Sequence, residues 1–232
     1  LCRAQRAQYS AFVQMDQHAL CCASPELFFK LEGENIVSRP MKGTLGRGAS
    51  DKTDLVRMKH LQASEKNRAE NVMIVDMVRN DLGRIAVPGS VEVARMFDVE
   101  RYPTVLQVTS TVQARTRVGF TDILGALFPC ASITGAPKVR TMQIINELEP
   151  DPRGVYTGTI GYLSPGRHAQ FNVAIRTVDI ELKSGRAEYG VGGGDCMGFL
   201  RRRRICRVPF QSERVNRADS GFSAFRNDFM DA

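Results

Sequence analysis

The chain has 232 residues, 43% of them hydrophobic, and a net charge of +7. That is enough apolar material for one large core or two small ones, and no apolar run approaches the ~18 residues of a membrane-spanning helix. The charge does not single out nucleic acid: residues 195–232 hold eight Arg and five acidic side chains, with Arg201–Arg204 in one run, and residues 1–194 then carry 24 basic against 20 acidic groups, unremarkable for a domain that binds a small anion.

Six cysteines without CxxC or other ligand spacing, and three scattered histidines, fit a reducing, cytoplasmic setting rather than a disulfide scaffold or a metal cluster. The opening Leu1-Cys2-Arg3 has neither an initiator Met nor a signal-peptide core and reads as the interior of a longer protein. Residues 9–37 alternate as four strands with hairpin-like breaks at Asp16-Gln17 and Glu32-Gly33-Glu34, an antiparallel meander that carries Ser24-Pro25-Glu26. Its end delivers Ser38-Arg39-Pro40-Met41-Lys42-Gly43-Thr44. This is a strand entering a tight turn, read either as an ordinary surface turn or as a place where backbone N–H groups approach an anion.

Residues 45–53 are rich in Gly and Asp and are expected to be mobile. One long, half-buried helix is predicted from about Asp54 to Leu82, stopped by Gly83 as a C′ glycine. Strands follow at Val91–Met96 and Val105–Val112, then a short helix at Asp122–Leu127. The loop Phe128 to Lys138 precedes a helix over Val139–Glu147, with Pro137 at the helix start. That loop is either an anion site or simply a Gly/Pro connection. Three strands are predicted at Val155–Leu163, Ala169–Asp179 and Arg186–Val191. Arg176, flanked by apolar residues, is costly to bury alone, so it is expected to meet a carboxylate.

Each stretch alone has an ordinary structural explanation, but together they resemble the chorismate-utilising enzymes. The motifs are Ser24-Pro25-Glu26, the Pro40–Thr44 turn, Arg68 to Asp76 with Arg79 to Gly83, Ser132–Lys138, Gly158–Tyr162, Ala174–Thr177 and Gly192–Gly194, in the family's order. The resemblance implies an α+β fold: large antiparallel β-sheets packed with outer helices, of which this chain holds the C-terminal part only. Residues 1–194 would be an N-terminally truncated chorismate-binding catalytic domain. Lys42 is the feature of the branch that aminates C4 of chorismate, the aminodeoxychorismate synthases. Gln107, where anthranilate and salicylate synthases have histidine, points the same way.

By that resemblance Lys42 attacks C2 of chorismate while Glu26 protonates the departing C4 hydroxyl; ammonia then enters at C4 and Glu26 turns base. Glu26 must therefore be partly protonated near neutrality. Arg176 and Tyr162 would clamp the enolpyruvyl carboxylate. Gly43, Thr44, Gly192, Gly193 and Gly194 would offer backbone N–H groups, and Thr134 and Lys138 would line the pocket. Glu70 would be a Mg²⁺ ligand. The implied partners are chorismate and a glutamine amidotransferase subunit or domain that supplies ammonia, with no nucleic acid and no membrane, in the route to para-aminobenzoate and folate. Anthranilate or isochorismate synthesis, an inactive fragment of the family, or a basic binding module using Arg201–Arg204 are the alternatives.

The resemblance stops at Gly194. The family continues with an Asp-Ser turn and a helix bearing two glutamates; here Asp195 to Leu200 lead into four arginines. Codons that encode Asp195 to Val208 can be chosen so that reading one base later gives Ile-Val-Trp-Asp-Ser-Ser-Ala-Asp-Glu-Glu-Tyr-Ala-Glu-Cys. The Trp is forced by Met197-Gly198. Residues 195–232 are therefore expected to be a frame-shifted or disordered tail.

Overall fold

The computed structural model describes residues 7–193 and 208–210. Gly194 and Arg201–Arg204 lie outside them, as does the tail apart from one short strand. Twelve strands among the described residues form two antiparallel sheets. The first has five strands in the order β1 (Tyr9–Gln14), β2 (His18–Ser24), β10 (Thr177–Glu181), β11 (Arg186–Tyr189) and β12 (Val208–Phe210). The second has seven: β5 (Met41–Gly46), β7 (Val105–Arg115), β4 (Asn35–Arg39), β3 (Leu27–Glu32), β9 (His168–Val173) and β8 (Thr159–Ser164) in sequence, with β6 (Glu92–Arg101) on the other side of β7. The α+β class and large antiparallel sheets of the sequence reading are what is found.

The predicted single meander over residues 9–37 is instead two hairpins in two sheets: β1 pairs with β2, and β3 with β4. The chain changes sheet at Ser24-Pro25-Glu26. The predicted strand Ala169–Asp179 likewise splits into β9 and β10, and the residue before β10, Arg176, has a φ of 51°. Both breaks have one cause. Because β2 pairs with β10 and β3 with β9, the two crossovers run side by side. They are tied by Ala23 N–H to the Arg176 carbonyl at 3.0 Å and by Val173 N–H to the Glu26 carbonyl at 3.1 Å. Periodicity along one strand cannot reveal a bend that two strands make together.

Pro40 makes a similar break. Lacking an N–H, it divides residues 35–46 into β4, paired with Arg115–Val112, and β5, paired with Thr109–Val105 of the same β7. Within the tail expected to be frame-shifted or disordered, β12 lies against β11, whose outer edge offers backbone groups for pairing.

The predicted long helix is two, α1 (Asp51–Ala63) and α2 (Glu65–Gly83). Ser64, extended at ψ 112°, ends the first, and its hydroxyl accepts from Asn67 N–H to cap the second. Gly83 is the last helical residue and not a C′ glycine; the cap is Arg84 in the right-handed region. Residues 45–53, expected to be mobile, are pinned: the fully buried Asp54 carboxylate accepts from Arg47 Nε at 2.5 Å and from Gly48 N–H at 2.6 Å, and Ser50 caps α1.

α2 buries Asn71, Ile74, Val75, Val78, Asp81 and Leu82, a stripe at helical spacing. Its apolar members join Phe29, Leu31, Ile36 and Val112 of the seven-stranded sheet in the main core. The helix α3 (Phe120–Leu127) closes this core with Ile123 and Leu127. Each such aliphatic side chain contributes about 1.5–3 kcal/mol by leaving water. The core therefore sits on the helical side of the seven-stranded sheet and fixes α2 against β5 and β7, where the candidate site forms. Among the described residues no helix is long and apolar enough to cross a membrane.

Candidate active site

Glu26 sits at the β2–β3 crossover. Ser24, fully buried, accepts from Glu26 N–H at 3.2 Å, so the turn braces itself. The Glu26 side chain is only 3% exposed. Its Oε1 accepts from Ser132 Oγ at 2.6 Å, the backbone N–H of Met41 also donates to the carboxylate, and Lys42 lies close enough to stabilise its charge. Burial still prevails, pushing the carboxyl from its ordinary 4.5 up to about 7. A carboxyl at that value is divided between acid and base forms at neutral pH.

Lys42 is half-buried, at an irregularity in the β5–β7 pairing between Met41 and Thr44. Such a bulge re-aims a side chain. Gly43 makes it possible: its φ is +93°, and a Cβ there would meet the Asn67 side chain at 3.0 Å. The turn is fastened from behind. Asn71 Nδ2 donates to the Lys42 carbonyl at 2.9 Å, and Asn71 Oδ1 accepts from the buried Ser110 hydroxyl at 2.7 Å. Thr44 Oγ1 donates to Gln107 Oε1 at 2.7 Å, so the Gln107 of the sequence reading holds the same turn. Glu26 and Lys42 are brought together.

The structure engages other predicted residues differently. Lys138 begins the helix α5 (Lys138–Leu148) and donates to Asp81 Oδ2 at 2.5 Å and to the Leu127 carbonyl at 3.0 Å, fastening α5 to the end of α2. Thr134 ends the short helix α4 (Ala131–Thr134), and its hydroxyl donates to the Cys130 carbonyl at 3.1 Å. Glu70 is on α2 with Lys66 Nζ 4.0 Å away. Among the described residues no group of three or more His, Cys, Asp or Glu side chains stands close enough to hold a metal ion. Mg²⁺ is commonly bound through one or two carboxylates together with waters and substrate oxygens, and Glu70 would be one such ligand.

Tyr162 is 55% exposed on β8, opposite Gln170 and three residues beyond the Thr159–Val173 pair at the crossover, about 10 Å along the strand. The tyrosine that does reach the crossover region is Tyr156, which sequence reasoning missed. Its neighbour Thr157 donates its N–H to the Ala174 carbonyl at 2.9 Å, beside the Arg176 crossover. Its ring fills the space over Gly190, and a Cβ at Gly192 would lie 2.9 Å from its hydroxyl. Gly193 faces open space. Burial raises the Tyr156 phenol above its ordinary value, and that of Tyr189 as well, where Arg176 pulls the other way. A cavity of about 680 Å³ lies around Arg39, Gln62, Glu100, Arg101 and Tyr102; neither Glu26 nor Lys42 lines it.

The profile of the family described as chorismate binding enzyme matches residues 1–194. Aminodeoxychorismate synthase component 1 of Klebsiella aerogenes is 47% identical over 194 residues, covering 83% of this chain and 43% of that protein. The same-named protein of Escherichia coli K12 is 44% identical over 194 residues, covering 83% and 42%. Among solved structures, anthranilate synthase component I from Streptococcus pneumoniae TIGR4 superposes with a TM-score of 0.72 at 33% identity, over 79% of this chain and 40% of its own. MenF, the menaquinone-specific isochorismate synthase of Escherichia coli, shares the fold, with a TM-score of 0.66 at 24% identity over 72% of this chain and 38% of its own. The chain spans less than half the length of these relatives.

Proposed function

The chain belongs to the chorismate binding enzyme family, and from that premise we propose that it carries the catalytic pair of an aminodeoxychorismate synthase component 1, replacing the C4 hydroxyl of chorismate by an amine. The observation that carries this reading is Glu26, buried and pushed up to about 7, held beside Lys42 by Ser132 and the Met41 N–H.

The steps follow from what each group can do. The free amine of Lys42 forms a bond to C2, the two conjugated ring double bonds each move one place toward C4, and the C4–O bond breaks as Glu26 gives its proton to the departing hydroxyl, which leaves as water. The adduct nitrogen loses a proton. Ammonia then attacks C4, both double bonds shift back, and the C2–N bond breaks as Lys42 regains a proton. Glu26 removes the proton that the new amine sheds. One difficult substitution becomes two easier ones. Arg176 and the Tyr156 hydroxyl beside Gly192 are the groups this reading assigns to a carboxylate of chorismate. Ammonia comes from a glutamine amidotransferase partner, consistent with the name component 1 of the relatives, and the reaction takes place in the cytoplasm on the way to para-aminobenzoate and folate. In this reading Glu70 is one ligand of a Mg²⁺ ion, together with waters and substrate oxygens.

Incubation of the chain with chorismate and ammonia is expected to give a product that keeps its enolpyruvyl side chain and carries nitrogen at C4. Release of pyruvate with anthranilate would instead place the chain in the branch of its Streptococcus neighbour.

The tail belongs to the same proposal. The family match ends at residue 194, where the sequence reading puts the change of frame. Sequencing the coding DNA across codons 190–210 is expected to show that a one-base correction restores a segment with adjacent glutamates. DNA that offers no such frame overturns this part of the reading.

A further inference from the structure

Ser132, seated in the first turn of α4 and 7% exposed, is assigned no role by the steps above. Its surroundings restrict it closely. Glu26 Oε1 lies 2.6 Å from its hydroxyl, and Cys130 Sγ lies 3.2 Å away on the other side. A hydroxyl has one hydrogen, and an ionised carboxylate can only accept. At 2.6 Å that hydrogen is committed to Glu26. The Cys130–Ser132 contact must then be a thiol donating to the serine oxygen, and burial keeps Cys130 protonated for that purpose by pushing its thiol up to about 12. The result is a one-way chain from thiol to hydroxyl to carboxyl, in which all three side chains are buried.

We infer that Ser132 is a positioning residue for proton transfer: by donating into Oε1 it reserves the other carboxyl oxygen of Glu26 for the transferred proton and fixes the plane of the carboxyl. This rests on the reading of Glu26 as the acid. The groups that face Glu26 are Ser132 from α4, the Met41 N–H and Lys42 from β5, and Cys130, which has Lys138 beside it. Of these, the Ser132 bond opposes burial most strongly, so its loss moves Glu26 further up.

The test separates this inference from the proposed reaction by reading Glu26 directly. The full chain, labelled with ¹³C at glutamate side-chain carboxyls, is titrated by NMR, the Glu26 signal being assigned by its loss in Glu26→Gln. A midpoint near pH 7 is expected. Ser132→Ala should move it up by about one pH unit, the scale of a hydrogen bond to a charged group, and Ser132→Thr should return it. The alkaline limb of turnover against pH, where Glu26 as the acid loses its proton, should move in parallel, with KM changed less than about threefold and kcat reduced about tenfold. Should Ser132→Ala not fold, Ser132→Cys carries the same test, its weaker donor giving a smaller shift in the same direction. An unmoved midpoint in either variant, or a threonine that does not restore it, overturns the inference whether or not the chain aminates chorismate. A midpoint that moves as expected in a chain without turnover supports it and counts against the proposed reaction alone.

Discussion

Lys42→Ala is expected to reduce formation of 4-amino-4-deoxychorismate by about 10⁴-fold or more, the scale on which removal of a covalent nucleophile acts. The fold should survive. Lys42 is half-buried, and what anchors its turn is backbone: the carbonyl held by Asn71 and the left-handed Gly43. A substitution that leaves these in place should change stability by no more than about 1 kcal/mol. Thermal unfolding alongside the product assay checks both halves. Unchanged turnover in a folded Lys42→Ala protein would remove the covalent role.

Glu26→Gln has two expected effects. Turnover falls about 10²- to 10⁴-fold, the usual contribution of a positioned acid and base. Stability changes in a pH-dependent way, with a sign that follows from the raised carboxyl. Glu26 holds its proton more tightly folded, at about 7, than unfolded, near 4.5. Below 4.5 it is protonated in both states; as pH rises from 4.5 to 7 the unfolded chain ionises while the buried carboxyl resists, so the folded state loses stability until it too gives up the proton near 7. The full loss between those limits is about 3 kcal/mol. Urea unfolding at pH 5 and pH 8 should show most of this loss in the wild-type chain and none of it in Glu26→Gln, which becomes the more stable of the two at pH 8. Equal pH dependence in both proteins would mean that Glu26 is not held as described.

The residues proposed for this site were more legible in the sequence than the scaffold that holds them. Ser24-Pro25-Glu26 and Pro40–Thr44 are contiguous motifs, and they pointed to an acid and a nucleophile sixteen positions apart, which the sheet crossover and the β5 irregularity bring together. What stayed hidden was relational. That β2 and β3 belong to different sheets depends on β10 and β9 bending with them, and neither strand encodes this in its own alternation. Ser64 was passed over because a serine inside a helical pattern is unremarkable until its extended backbone is seen. Lys138 was assigned to the pocket by resemblance, and its partner Asp81, 57 residues away on another helix, is not visible in the sequence. Tyr162 was taken from its motif, whereas the contact with Gly190 and Gly192 that distinguishes Tyr156 exists only in three dimensions.

The covalent step through Lys42 is tested most directly by mass. The chain is incubated with chorismate in the absence of ammonia, quenched, and its peptides weighed. The account predicts a gain equal to chorismate less one water on the peptide bearing Lys42, absent from Lys42→Ala and discharged when ammonia is added before quenching. An unmodified Lys42 peptide, or a gain carried by another residue, contradicts it.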